Sequence, residues 1–100
     1  MLDTLEYVHE KGARRDHSVV VYALSTCGFC KRALAFLRDK SVDFRYVFVD
    51  NLPTDVKNAL KEELRRRYRI TVLFPTIVLD EAEALSGFDR EVWEQRLGLA

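Results

Sequence analysis

Apolar residues in this chain gather into short runs separated by heavily charged stretches, and the spacing within each run predicts an element. Val19 to Leu24 is continuous, apolar and rich in β-branched residues, as expected of a strand covered on both faces. From Cys30 to Arg38, Ala33, Leu34, Phe36 and Leu37 recur at helical spacing between Lys31, Arg32 and Arg38, which predicts an amphipathic helix with a charged outer face. Phe44 to Val49 reads as a second strand. Asp50 to Thr54 then forms a loop in which Thr54 can cap the helix that follows. Val56, Leu60 and Leu64, four apart among charges, predict a mostly exposed helix over Asp55 to Tyr68.

Beyond it, Thr76 to Leu79 and Ala82 to Ser86 can pair as a hairpin across the Asp80-Glu81 turn. Asp89, after the Gly87 turn, can cap a closing helix carrying Val92, Trp93 and Leu97. The predicted order is βαβαββα, a mixed α/β sheet with its first two strands parallel and helices on both faces. Residues 1–17 carry a weaker pattern. Leu2, Leu5 and Val8 suggest a helical turn or two, and Gly12 to His17 reads as linker, so 1–17 is expected to be an extension on a domain spanning 18–100.

One hundred residues at 48% hydrophobic content are enough for one core without disulfide staples. Sixteen basic and sixteen acidic side chains cancel, which removes the net field that would draw the chain to nucleic acid or an anionic membrane. No apolar run approaches the roughly 18 to 20 residues of a membrane span, and the first residues are acidic where a signal peptide is apolar. A cytoplasmic protein is the expectation.

The two cysteines, Cys27 and Cys30, are too few and too close to staple a secreted scaffold, and they fall where the first buried strand gives way to a helix. Unpaired N–H groups and the dipole at a helix start favour thiolate over thiol, and Lys31 and Arg32 add positive charge. Thiols in such places ionise at roughly pH 3.5 to 7.5, against about 8.5 when free. Cys27 is therefore the expected nucleophile. Cys30, about one helical turn on, is the expected resolving thiol. Two other readings stand beside this one. A zinc site needs four ligands, and the only imidazoles the chain offers are His9 and His17, in its least patterned segment. Alternatively, the cysteines pack as inert small hydrophobes. No metal is expected.

From Val19 to Leu97 the sequence resembles the glutaredoxin family. Tyr22-Ala23-Leu24-Ser25-Thr26-Cys27-Gly28-Phe29-Cys30 matches its strand and active-site turn, Phe74-Pro75-Thr76 its cis-proline segment, and Ser86-Gly87-Phe88-Asp89 its glycine turn. The resemblance implies a thioredoxin fold with a mixed four-stranded sheet, and disulfide oxidoreductase activity through the two cysteines. It also implies that Pro75 faces Cys27 and leaves the Phe74 backbone free to pair with an extended thiol substrate. Phe29, Phe74, Pro75, Gly87, Phe88 and Asp89 are the implied substrate-binding residues. Phe29, Phe74, Phe88 and Tyr22 could form an apolar rim, although Tyr22 reads equally well as core.

The departures from the family pattern fall on the glutathione site. Leu24 stands where many members carry a lysine for the glycyl carboxylate, Leu73-Phe74-Pro75 replaces Thr-Val-Pro, and Ser86-Gly87 replaces Gly-Gly, while Asp89 matches the acid that meets the γ-glutamyl amine. Arg65-Arg66-Arg67 with Arg69 could hold a carboxylate instead, or could simply be a solvated helix end that complements the dipole. The same segments resemble redoxins reduced by a thioredoxin reductase, and small proteins tied to ferredoxin-linked thiol reduction. Gly28-Phe29 between the cysteines is similar to glutaredoxins that share an iron-sulfur cluster between two subunits. The leading expectation is a monomeric dithiol carrier with no bound cofactor. It would act on disulfide-containing proteins and be recharged by glutathione or a reductase of the thioredoxin-reductase type.

Overall fold

The computed structural model describes residues 2–99. In chain order the elements are β1 (Val8–Glu10), β2 (Val19–Ala23), α1 (Gly28–Asp39), β3 (Phe44–Phe48), α2 (Thr54–Tyr68), β4 (Thr76–Leu79), β5 (Glu83–Ser86) and α3 (Arg90–Arg96). The strands form one sheet in the order β1-β3-β2-β4-β5. β2 and β3 run parallel, with Val21 beside Tyr46, and every other pairing is antiparallel.

The alternation of side chains along β2 sets the two layers. Val19, Val21 and Ala23 face one side, where they meet Ala33, Leu34 and Leu37 of α1 and Trp93 of α3. Tyr22 faces the other side, with Val47 and Val78, against Leu60 and Leu64 of α2. Burying a leucine of this kind stabilises the fold by roughly 1.5–3 kcal/mol, and α1 buries two, Leu34 and Leu37. The sheet is thus covered on both faces, which is why the β2 sequence is apolar at every position. The β4–β5 hairpin turns through Asp80, Glu81 and Ala82, with Asp80 and Glu81 both at positive φ and Ala82 N–H donating to Leu79 O at 3.0 Å.

The sheet has five strands, one more than the pattern of apolar runs predicts. Residues 2–17 depart in part from the helical turn or two and the linker expected of them. Only Leu2–Thr4 turns, as a single 3-10 helix, and Val8–Glu10 pairs antiparallel with Phe44–Tyr46. The physical reason lies in β3. Its outer edge would otherwise expose a row of unpaired N–H and C=O groups, and the N-terminal segment satisfies them. The segment is also clasped further along: Arg14 N–H donates to Ser41 O at 2.9 Å, and Asp43 N–H donates to Arg14 O at 2.9 Å. Gly12 makes the close approach possible, because a Cβ there would lie 2.4 Å from the carbonyl carbon of Val42.

A second correction concerns the start of α2. Thr54 does not cap the helix. Extended Pro53 occupies the N-cap and Thr54 is already helical, so the first turn closes through Lys57 N–H to Pro53 O at 2.8 Å. Asp89, by contrast, caps α3 as predicted, its carboxylate accepting from Val92 N–H at 3.4 Å.

Candidate active site

Strand β2 ends at Ala23 and α1 begins five residues later at Gly28, so the turn and the first helical turn deliver both cysteines to one end of the central strands. Cys27 is the N-cap of α1, with extended backbone (φ −96°, ψ 121°), and its Sγ accepts the Cys30 N–H at 3.3 Å. Sulfur here does what a serine or aspartate oxygen usually does at a helix start. A negative charge on Cys27 therefore meets donors already aimed at it. Its own N–H donates to Leu24 O at 3.3 Å, and its C=O accepts from Lys31 N–H at 3.0 Å, which fixes the turn.

Both cysteines are free, and their surroundings differ sharply. Cys27 is half-buried, whereas Cys30 lies wholly in the core beneath it, with Leu24 N–H donating to its Sγ at 3.4 Å. Burial alone would push the Cys27 thiol up. The hydrogen bond from Cys30, the N–H groups of Cys30 and Phe29, and the Arg32 charge outweigh it, and the net direction is down. Cys30 goes the other way. Burial, the hydrogen bond to Cys27 and the negative charges of Cys27 and Asp50 push it up to about 12. One thiol is thus held ready to ionise while the other keeps its proton until Cys27 has reacted.

Across the site, the Phe74–Pro75 peptide is cis and the Phe74 carbonyl oxygen lies 4.0 Å from Cys27 Sγ. Gly87 joins this segment by donating its N–H to Pro75 O at 2.7 Å, from a φ of +80° that favours glycine. Phe29 is 60% exposed beside the cysteines, with the Arg32 guanidinium over its ring at 4.6 Å. Phe74 is half-buried with Lys61 above it. Phe88 turns inward instead, its ring packed on Phe36 and Trp93 at 5.6 and 4.9 Å. Tyr22 belongs to the core, its hydroxyl 2.9 Å from that of Tyr7. Asp89 is exposed at the start of α3, and Leu24 is half-buried at the entrance to the cysteine turn.

Asp50 carries no signal in the pattern of apolar and polar positions. Its carboxylate accepts the Ser25 N–H at 2.9 Å and the Ser25 hydroxyl at 2.5 Å, clamping the turn that leads to Cys27. Nothing local marks this role, because the partners lie 25 residues apart in sequence. His9 and His17 each pair with an aspartate, Asp43 at 2.9 Å and Asp80 at 2.8 Å. No group of three or more His, Cys, Asp or Glu able to hold a metal exists among the described residues.

A low-lying thiol at a helix start, a buried partner thiol one turn on and an adjacent cis-proline segment on this sheet define a thioredoxin-fold thiol-disulfide oxidoreductase. The glutaredoxin family model matches residues 19–82. Glutaredoxin 3 of Escherichia coli (strain K12) is 36% identical over 72 residues, covering 72% of this chain and 78% of the relative. Glutaredoxin 1 of Rickettsia bellii is 31% identical over 64% of this chain, which spans 63% of that relative's length. Among solved structures, the glutaredoxin of Methanosarcina mazei superposes with a TM-score of 0.77 at 36% identity, covering 92% of this chain and 87% of that one. Methanoredoxin of Methanosarcina acetivorans superposes with a TM-score of 0.72 at 38% identity, covering 81% and 84%. The chain belongs to the glutaredoxin family.

Proposed function

We propose that this protein is a dithiol electron carrier that reduces disulfide-bonded proteins and glutathione mixed disulfides. The observation that carries the reading is the inequality of the two thiols: Cys27 half-exposed and stabilised as thiolate, Cys30 buried beneath it and protonated. The Cys27 thiolate attacks one sulfur of the substrate disulfide, and the other leaves as a thiolate and takes up a proton. Bond formation removes the negative charge at Cys27 that held Cys30 protonated. Cys30 then loses its proton and attacks Cys27 Sγ, which releases the second substrate thiol and leaves a Cys27–Cys30 disulfide. Two electrons from the donor restore both thiols.

The Phe74 backbone beside Pro75, the Gly87 turn and the exposed ring of Phe29 form the bed for the substrate chain. Phe88 supports that bed from within, and Asp89 is left to meet an amine. Glutathione or a reductase of the thioredoxin-reductase type serves as donor, the chain works as a monomer, and a reducing compartment such as the cytoplasm suits it. The chemistry requires no bound cofactor. The deciding experiment is reduction of a generic disulfide with glutathione and glutathione reductase, compared with NADPH and thioredoxin reductase. Turnover with either supports the reading and assigns the donor. No disulfide exchange even with dithiothreitol, or a brown protein whose colour depends on glutathione, would replace it.

A further inference from the structure

On the α2 side of Phe74 lies a groove of about 730 Å³, walled by Lys61, Arg65, Arg66 and Arg69 and floored by residues 70–72. Four cations and one acid, Glu62, line it, in a chain whose formal charges sum to zero. The other large cavity, between Tyr7, Tyr22 and Tyr68, sets Arg45 and Arg67 against Asp3, Glu63 and Glu81. Positive excess therefore distinguishes the groove beside Phe74 from that cavity. Arg65 and Arg66 are partly neutralised by Glu62 and Glu63 one turn back. Lys61 lies over the Phe74 ring at 5.9 Å, and among the described residues neither Lys61 nor Arg69 forms an ion pair. Arg69 ends α2 at a φ of 55°, in the left-handed region where glycine would sit with less strain.

The chain that floors the groove leads directly to the redox site. From Arg69 the chain runs through residues 70–73, without helix or strand, to Phe74, whose carbonyl oxygen is 4.0 Å from Cys27 Sγ. Thr71 O accepts from the Ser86 hydroxyl and Leu73 O from the Thr76 hydroxyl, both at 2.6 Å, so this stretch is held to the body while the Leu73 side chain stays 56% exposed. At about 3.3 Å per residue, an extended partner lying along it would bring a position about three to five residues from its reactive cysteine over the cations.

We propose that this groove is a docking surface for an acidic polypeptide. The disulfide partner carries Asp or Glu about three to five residues from its reactive cysteine, and those carboxylates meet Arg65, Arg69 and Lys61 while the sulfur lies on Cys27. This rests on the dithiol reading above and narrows its substrate class.

The test uses peptides carrying one cysteine as a mixed disulfide with a chromogenic thiol. Two Glu are placed at those positions on one side or the other of the cysteine, and matched peptides carry Gln. At low salt the Glu peptide of one orientation is reduced with about fivefold higher kcat/KM than its Gln counterpart, through KM. That preference disappears in the Arg65→Gln/Arg69→Gln double variant and at about 0.5 M salt, while reduction of the Gln peptides is unchanged. Equal rates for Glu and Gln peptides, or a preference that survives the double substitution, would overturn the proposal. So would an equal loss with glutathione disulfide, which would make the groove a site for the carboxylates of glutathione. If the wild type reduced no peptide at all, the dithiol reading itself would fall; turnover of the Gln peptides separates the two failures.

Discussion

The cysteine turn and the N-terminal segment are both held by hydrogen bonds at a border of the same sheet, but their partners lie at very different distances along the chain. In the turn, Cys27 N–H reaches Leu24 O, Cys30 N–H reaches Cys27 Sγ, and Leu24 N–H reaches Cys30 Sγ, all within seven consecutive residues. The N-terminal segment depends on groups far away. Tyr7 meets Tyr22, Glu10 meets Arg38, Gly12 N–H reaches Asp43 at 3.1 Å and His17 meets Asp80. Apart from the Asp50 clamp on Ser25, the first region is a local device aimed at one sulfur, the second a strap that covers an edge. They should come apart under mutation.

Cys27→Ser is the harshest break on the side of the turn. Serine still caps a helix, so thermal stability should stay close to wild type, while disulfide reduction falls by at least about a hundredfold because the nucleophile is gone. Cys30→Ser should differ in kind. The first attack proceeds, but the mixed disulfide on Cys27 persists, which mass spectrometry of the trapped adduct would reveal. Substantial turnover in Cys27→Ser would remove the basis for assigning the chemistry to this end of the sheet.

Gly12→Ala is the matching break on the side of the strap. The new Cβ would meet the Val42 carbonyl carbon at 2.4 Å and the Ser41 oxygen at 2.5 Å, both backbone atoms that cannot swing aside. A loss of about 1–3 kcal/mol in denaturant titration is expected, as for other overpacked sites. Activity per folded molecule should stay within about twofold, because among the described residues no hydrogen bond or ion pair joins the strap to Cys27. A parallel loss of activity would show that the two regions are coupled.

The difference between the regions also explains what could be read from the sequence. The β2 run, the spacing of α1 and the Asp80-Glu81 turn are local signals, and each element formed close to where its residues predict. The place of Cys27 at a helix start and the cap at Asp89 were legible for the same reason. β1 was not, because Val8-His9-Glu10 has one apolar residue, half exposed, and owes its extended form to the edge of β3 more than thirty residues away. Asp50 escaped notice because its partner, Ser25, belongs to another loop. The Arg65-Arg66-Arg67 run looked like a single feature, yet a helix turns about 100° per residue and divides it. Arg65 and Arg66 line the groove near Phe74, while Arg67 stacks on Tyr68 by the other cavity.

Arg32 offers a gentler test of the turn. Its charge is one of several influences that lower the Cys27 thiol, after the hydrogen bonds of Cys30 and Phe29. Arg32→Ala should therefore move the midpoint of Cys27 alkylation to higher pH, and slow alkylation below that midpoint by about twofold, in line with a single exposed charge. Phe29 would also lose its stacked partner, so the measurement should use a small alkylating reagent that does not depend on the ring.

The smallest expected effect is on the strap, at Asp43. Its carboxyl is held below the usual carboxylate range by the hydrogen bond from His9, then by the Gly12 N–H, with the charges of His9 and Arg15 adding to both. A group depressed in the folded state contributes stability above its unfolded value and loses that contribution as pH falls through the folded one. The contribution of Asp43 is therefore complete at neutral pH and should be lost below about pH 3.8, the ordinary aspartate value. Asp43→Asn should lower the denaturation midpoint slightly at pH 7 and make it less sensitive to acid, so that the two proteins converge toward pH 3. The pair is solvent-facing, and salt should reduce the difference further. Alkylation of Cys27 should follow the same pH curve in both proteins. A shifted curve in Asp43→Asn would mean that the strap reaches the redox site electrostatically, and the contrast between a local device and a remote clasp would no longer hold.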